Sequence, residues 1–206
     1  MVKPKFKDNA SYFIAGGIGG IGWSTAFWMA SNGAKNIFTF SRSTSNPNTR
    51  SFVAGLGKLA CRVVTLSCDA THKDDLSKAL RTCENQGLPA IRSVVHAAMV
   101  LRDSILENMT IDDGNAALGP EVAATWNLHS CISQPGSLDF FVLLPSLLVI
   151  FSWPSQPNYA SGGAHEDAIA RFQVTRALPA VSLDIGAVVN VGNEALTVTN
   201  KLTKSG

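Results

Sequence analysis

Lysine is missing from a long middle stretch of this 206-residue chain: none occurs between Lys78 and Lys201. Charge is scarce throughout, at 16% of residues and a net +2. So small a surplus leaves no electrostatic footprint for a nucleic acid or an acidic membrane. Cysteine is sparse too. Cys61, Cys68, Cys83 and Cys131 form no CxxC pair and match no histidine spacing. That speaks against a disulfide framework or a zinc site, and for buried or idle thiols in a reducing cytosol. The basic N-terminus MVKPKFKDNASYF leads into no apolar h-region, so no secretory signal is expected. The longest apolar run, Phe140 to Phe151, is broken by Pro145 and Ser146. It falls short of the roughly 20 residues a membrane span needs. A cytoplasmic protein with no membrane partner is the expectation.

What the chain does have is 46% apolar residues, enough to bury one substantial core. Short apolar runs alternate with helical patterns. Tyr12–Ala15, Asn36–Phe40, Cys61–Cys68, Ser93–His96, Phe140–Leu144 and Ala180–Ile185 read as strands. Ile21–Asn32, Ser51–Ala60, Lys73–Gln86, Ile105–Asn108, Glu121–Ile132 and Tyr159–Thr175 read as helices, and Ser43–Thr49 as a loop. This alternation predicts an α/β fold with a Rossmann-like doubly wound parallel sheet in three α/β/α layers. A single domain over 1–206, with its core at about 11–192, is expected. From Ala187 to Gly206 neither period is clear. A closing strand with covering helices would be usual there, so truncation at the C-terminus is one reading.

The strongest local signal is the stretch "FIAGGIGGIGWSTAFW". Gly17-Ile18-Gly19-Gly20-Ile21-Gly22 fits GxGxxG, directly after a strand and before a helix. Glycines there allow a tight turn and let the backbone approach a pyrophosphate at the helix N-terminus. Gly16, Gly17, Gly19, Gly20, Ile21 and Gly22 are the candidate cofactor-binding residues, with a mere glycine-rich turn as the competing reading. The second strand ends in Ser41-Arg42-Ser43, without the Asp or Glu that would favour NADH. A guanidinium suits a 2′-phosphate, so Ser41 and Arg42 point to NADPH. A solvated strand-end arginine is the alternative. Asp69, beside Ala70, could accept from an adenine amine; taken alone it reads as a turn or helix-cap aspartate.

Several stretches together resemble the ketoreductase domain of fungal-type reducing polyketide synthases, within the short-chain dehydrogenase/reductase superfamily. They are "GGIGGIGWSTAFWMASNGAKNIFTFSRS", "VVHAAMVLRDSILENMT", "ATWNLHS", "LDFFVLLPS", "QPNYASGG" and "LPAVSLDIGAV", running from about Tyr12 to Val188. The resemblance implies NADPH-dependent reduction of a β-ketoacyl thioester to a β-hydroxyacyl thioester. The substrate would arrive on an acyl carrier protein, among the other domains of a synthase. It implies that Tyr159 is the general acid, that Ser146, thirteen residues earlier, is the oxyanion donor, and that His96, Ala97 and Ala98 join Asp69 and Ala70 at the cofactor.

Two members of the family's site are replaced. Glu121 stands where the family has lysine, in Gly119-Pro120-Glu121-Val122-Ala123-Ala124-Thr125-Trp126-Asn127-Leu128-His129, and Gly163 stands where it has asparagine. An ammonium near a phenol lowers its pKa, whereas a carboxylate raises it and repels a developing alkoxide. Arg102 and His165 are the nearby cationic types, but no pattern sets either beside Tyr159. Ala15, Pro145, Leu148, Trp153 and Pro154 also depart from the family's usual residues. Neither Trp153 nor Leu101-Arg102-Asp103 matches a stereochemical marker. Three expectations therefore stand: a ketoreductase with an altered site, a degenerate domain that keeps the fold and a structural or nucleotide-binding role, or an inactive, truncated remnant.

Overall fold

The computed structural model describes residues 5–41 and 47–188. The expectations for Arg42, for 43–46 and for the C-terminal tail beyond 188 fall outside those residues. Six parallel strands form one sheet in the order β3-β2-β1-β4-β5-β6. They are β1 Ser11–Ala15, β2 Asn36–Ser41, β3 Arg62–Ser67, β4 Ile91–His96, β5 Phe140–Leu143 and β6 Ala180–Ser182. Helices α1 Gly20–Ser31, α2 Pro47–Gly57, α3 Lys73–Asn85, α4 Ile111–Leu118, α5 Thr125–Ile132, α6 Leu148–Phe151 and α7 Pro157–Thr175 connect them.

Alternation along the strands builds the three layers. Tyr12 and Ile14 of β1 pack with Ala26 and Met29 of α1 and with Phe52 and Leu56 of α2. Phe13 and Ala15 turn the other way, toward Leu76 and Ala79 of α3, Leu128 of α5 and Ile169 of α7. Period-2 side chains buried on both faces are what a parallel sheet needs when helices cover it front and back. The rings of Phe13, Phe38 and Phe40 meet at 4.4–5.2 Å between centroids and fix the centre of the second layer. All four cysteines are free thiols. Burial pushes Cys61 and Cys68 up to about 11 and Cys83 to about 12, so these three stay protonated and inert.

The doubly wound expectation holds, with shifts at particular elements. Pro47–Thr49, expected in a loop, open α2; proline sacrifices no hydrogen bond in a first turn. Ile105–Asn108 is only a 3-10 turn, Leu106–Asn108. The unforeseen α4 follows it, started by a capping box between Thr110 and Asp113. Glu121–Ile132 divides into a π-helical turn, Gly119–Ala124, and α5. Helix α6 was also unforeseen. Strand β6, the last among the described residues, stops at Ser182; beyond it Ile185 N–H donates to Pro145 O at 2.8 Å, and Ser146 and Ile185 form a single bridge.

Candidate active site

The strand order reverses between β1 and β4, the switch point at which doubly wound sheets bind ligands outside the carboxyl ends. Ala15 lies in register with His96 there, and Ala97 N–H donates to Ala15 O at 3.0 Å. Gly16 follows with φ +77°, and a Cβ on it would sit 2.7 Å from Ala97 O. Only glycine satisfies both constraints. The same packing holds Gly22, whose Cβ would strike Gly16 O. Above Gly19, by contrast, a Cβ would meet nothing nearer than Gly16 O at 3.9 Å. Helix α1 starts after Gly19 with no side-chain cap and no acid in its first turn. Its uncapped N-terminus, with open space above Gly19, fits a dinucleotide's pyrophosphate.

The other expected cofactor residues lie at the same end of the sheet. Ala97 and Ala98 follow β4. His96, however, has its imidazole in the core, 1% exposed. Its Nε2 lies 2.9 Å from Pro120 O and 3.2 Å from Glu166 Oε1. A carbonyl oxygen only accepts, so the proton sits on Nε2. Burial pushes His96 down to about 4 and Glu166 up to about 9. Both are therefore neutral near pH 7, so their 3.2 Å contact is not an ion pair. The expectation that His96 touches a cofactor narrows to its main chain. Asp69 Oδ1 closes a turn by accepting from Thr71 N–H at 3.0 Å and Thr71 Oγ1 at 2.7 Å. Ala70 O accepts from Asn127 Nδ2 at 2.9 Å, which ties the end of β3 to α5. Ser41 closes β2.

Tyr159 and Ser146 sit at the ends of different elements. Tyr159 is in the first turn of α7, where Pro157 is pre-organised for helix entry. Its neighbour Asn158 is 5% exposed and donates from Nδ2 to Arg102 O at 3.0 Å and Asp113 O at 3.3 Å. Those bonds tie the start of α7 to the segment after β4 and to α4. The Tyr159 hydroxyl donates to Met99 Sδ at 3.4 Å. Ser146 follows β5, and its Oγ accepts from Leu148 N–H at 3.3 Å. Helix α7 crosses this turn closely. A Cβ on Gly163 would lie 2.6 Å from Val149 Cγ2 and 3.1 Å from Pro145 Cβ. The family's asparagine has no room at 163 unless those neighbours move.

Glu121 overturns part of the electrostatic expectation. Its side chain is 3% exposed and enters a notch left by Gly162, where a Cβ would collide with Glu121 Oε2. That oxygen has no hydrogen-bond partner. Burial pushes the carboxyl up to about 8. Near neutral pH it is mostly protonated, so it sets no full negative charge near the phenol. Glu166 lies in the same buried group, raised by burial and next by Glu121, and accepts from Thr125 Oγ1 at 3.4 Å. Arg102 Nη1 turns to Leu101 O at 3.4 Å, and His165 is lowered by burial. Sequence reasoning missed Met99, Asn158, Gly162 and Glu166. A polar residue at an otherwise apolar, core-facing position of a helix was the one available signal, and it applies to Glu166.

The KR domain family matches residues 10–190. The chain belongs to the KR domain family. This KR domain is 52% identical over 206 residues to a highly reducing polyketide synthase of Aspergillus terreus, covering 98% of the chain and 8% of the relative. A second such synthase, from Emericella nidulans, is 46% identical over 205 residues, with the same coverage. The KR domain thus spans about a twelfth of these relatives' length. Among solved structures it resembles the ketoreductase from the first module of phoslactomycin biosynthesis in Streptomyces sp. HK803. There the TM-score is 0.87 and the identity 26%, over 100% of this chain and 47% of that one. An A1-type ketoreductase gives 0.87 and 28%, over 99% and 43%. No helix among the described residues is long and apolar enough to cross a membrane.

Proposed function

We propose that this KR domain binds NADPH and reduces the ketone of a β-ketoacyl thioester to a β-hydroxyacyl thioester. The substrate is carried by an acyl carrier protein and the setting is a cytoplasmic polyketide synthase with further domains. The observation that carries the reading is the placement of Tyr159 and Ser146 at the same sheet end as the open glycine loop and uncapped α1. When bound, NADPH supplies a hydride. Gly16, Gly17, Gly19, Gly20, Ile21 and Gly22 would hold its pyrophosphate. Ala97, Ala98 and the main chain of His96 would flank it, with Asp69 and Ala70 on the adenine side. The sequence Ser41-Arg42, with no acid there, favours the 2′-phosphate.

Tyr159 gives its hydroxyl proton to the ketone oxygen as negative charge develops, and Ser146 donates a second hydrogen bond to that oxygen. Phenols in water lose a proton only near pH ~10, so proton donation by this group at neutral pH gains from a nearby cation. Glu121, neutral and turned to Gly162, supplies none of the cationic help that lysine gives in the family. Turnover below that of a lysine-bearing relative is the expected result. The same observation favours a second reading, a domain that binds the nucleotide but does not turn over.

An NADPH fluorescence titration, followed by NADPH oxidation with trans-1-decalone, separates these readings. Binding with slow oxidation supports the first. Binding with no oxidation of decalone or of an acetoacetyl thioester supports the second. No binding overturns both.

A further inference from the structure

The hydroxyl of Tyr159 already has an acceptor in the structure. It donates to Met99 Sδ at 3.4 Å, across 60 positions of sequence. Met99 is no core residue held there by burial, since 45% of it is exposed. It lies just past the end of β4, directly after the Ala97 and Ala98 that flank the glycine loop.

A phenol has one O–H hydrogen. It cannot be given to a ketone oxygen while it is given to sulfur. Resting on the role proposed above for Tyr159, we infer that Met99 is a specificity-determining residue that stands in the ketone-oxygen position and must be displaced by each substrate. A thioether is a weak acceptor on a side chain with three rotatable bonds, so the displacement is feasible. It still charges every substrate the loss of one contact and one rearrangement. The side chain that gives way must be housed next to the carbonyl, so it crowds substituents on the carbon beside it. The ligand class admitted most readily is therefore a β-ketoacyl thioester with an unsubstituted α-carbon. An α-methyl counterpart meets the displaced Met99.

The test compares wild type, Met99→Leu, Met99→Ala and Tyr159→Phe. Only Tyr12 and Tyr159 are tyrosines, so ring-labelled tyrosine gives two NMR signals and Tyr159→Phe assigns them. In Met99→Leu, which keeps the bulk and removes the sulfur, the Tyr159 signal should move while that of Tyr12, bonded to Lys7, stays. Half-saturation by acetoacetyl-N-acetylcysteamine in the presence of NADP+, read on the Tyr159 signal, should fall about fivefold in Met99→Ala. The preference for that thioester over its 2-methyl counterpart should shrink by a similar factor. The inference is overturned if the Tyr159 signal is the same in wild type and Met99→Leu, or if Met99→Ala changes neither half-saturation nor preference. Failure of the proposed function looks different: Tyr159→Phe would keep full turnover, or wild type would show none, while the NMR comparison still decides the contact.

Discussion

Glu121 is where the chemistry of a single residue is most open to measurement. Its folded carboxyl is raised from an ordinary 4.5 to about 8 by burial. A raised acid contributes stability that is fully present below the unfolded pKa and lost as pH climbs through the folded one. The wild type should therefore lose stability between about pH 4.5 and 8, on the order of 3 kcal/mol by pH 7 as an upper figure. Glu121→Gln removes that titration. Its thermal midpoint should gain on wild type as pH rises from 5 to 8, with little difference in trend below 4.5. The slope is the readout, because a constant packing cost leaves it unchanged. Parallel curves for the two proteins would show that the carboxyl is not held neutral. Glu166, raised to about 9 in the same group, should respond in the same direction.

At the scale of elements, α7 carries the site and two contacts set its position. Asn158→Ala removes the amide that donates to Arg102 O and Asp113 O and should cost about 1–3 kcal/mol by denaturant midpoint. NADPH oxidation should fall with it while nucleotide affinity holds, because the glycine loop is elsewhere. Gly163→Asn, which restores the family's residue, should destabilise by about 1–3 kcal/mol, since its Cβ meets Val149 and Pro145. Val149→Ala should recover part of that loss.

The elements also show what a sequence makes legible. Strands β1 to β5 and helices α1, α3 and α7 could be read because buried apolar runs and glycine stops are local signals. Helix α4 was hidden by the short polar pattern Asp112-Asp113-Gly114, although Thr110 and Asp113 carry its cap. The π turn at Gly119–Ala124 leaves no pattern distinct from an ordinary helix start. Within the site, the glycine loop was legible for the same local reason. The Met99–Tyr159 contact and the notch between Glu121 and Gly162 were not. Each depends on packing between elements distant in sequence, and a reading by position gives Glu121 a charge that burial removes.

Over the whole molecule, the sheet is the device that makes a site from scattered residues. Parallel strands place the ends of β1, β4 and β5 side by side, which gathers Gly16, Ala97 and Ser146 at one edge of the fold. Helix α7 adds Tyr159 from the flanking layer. The central claim is that this assembly still moves a proton from Tyr159 to a ketone although the family's lysine is absent. The most direct measurement is NADPH oxidation with an acetoacetyl thioester by wild type and Tyr159→Phe, both checked for NADPH binding. The expected result is slow but measurable oxidation by wild type, a loss of about a hundredfold or more in the variant, and equal nucleotide affinity. Equal oxidation rates in the two proteins would contradict the account.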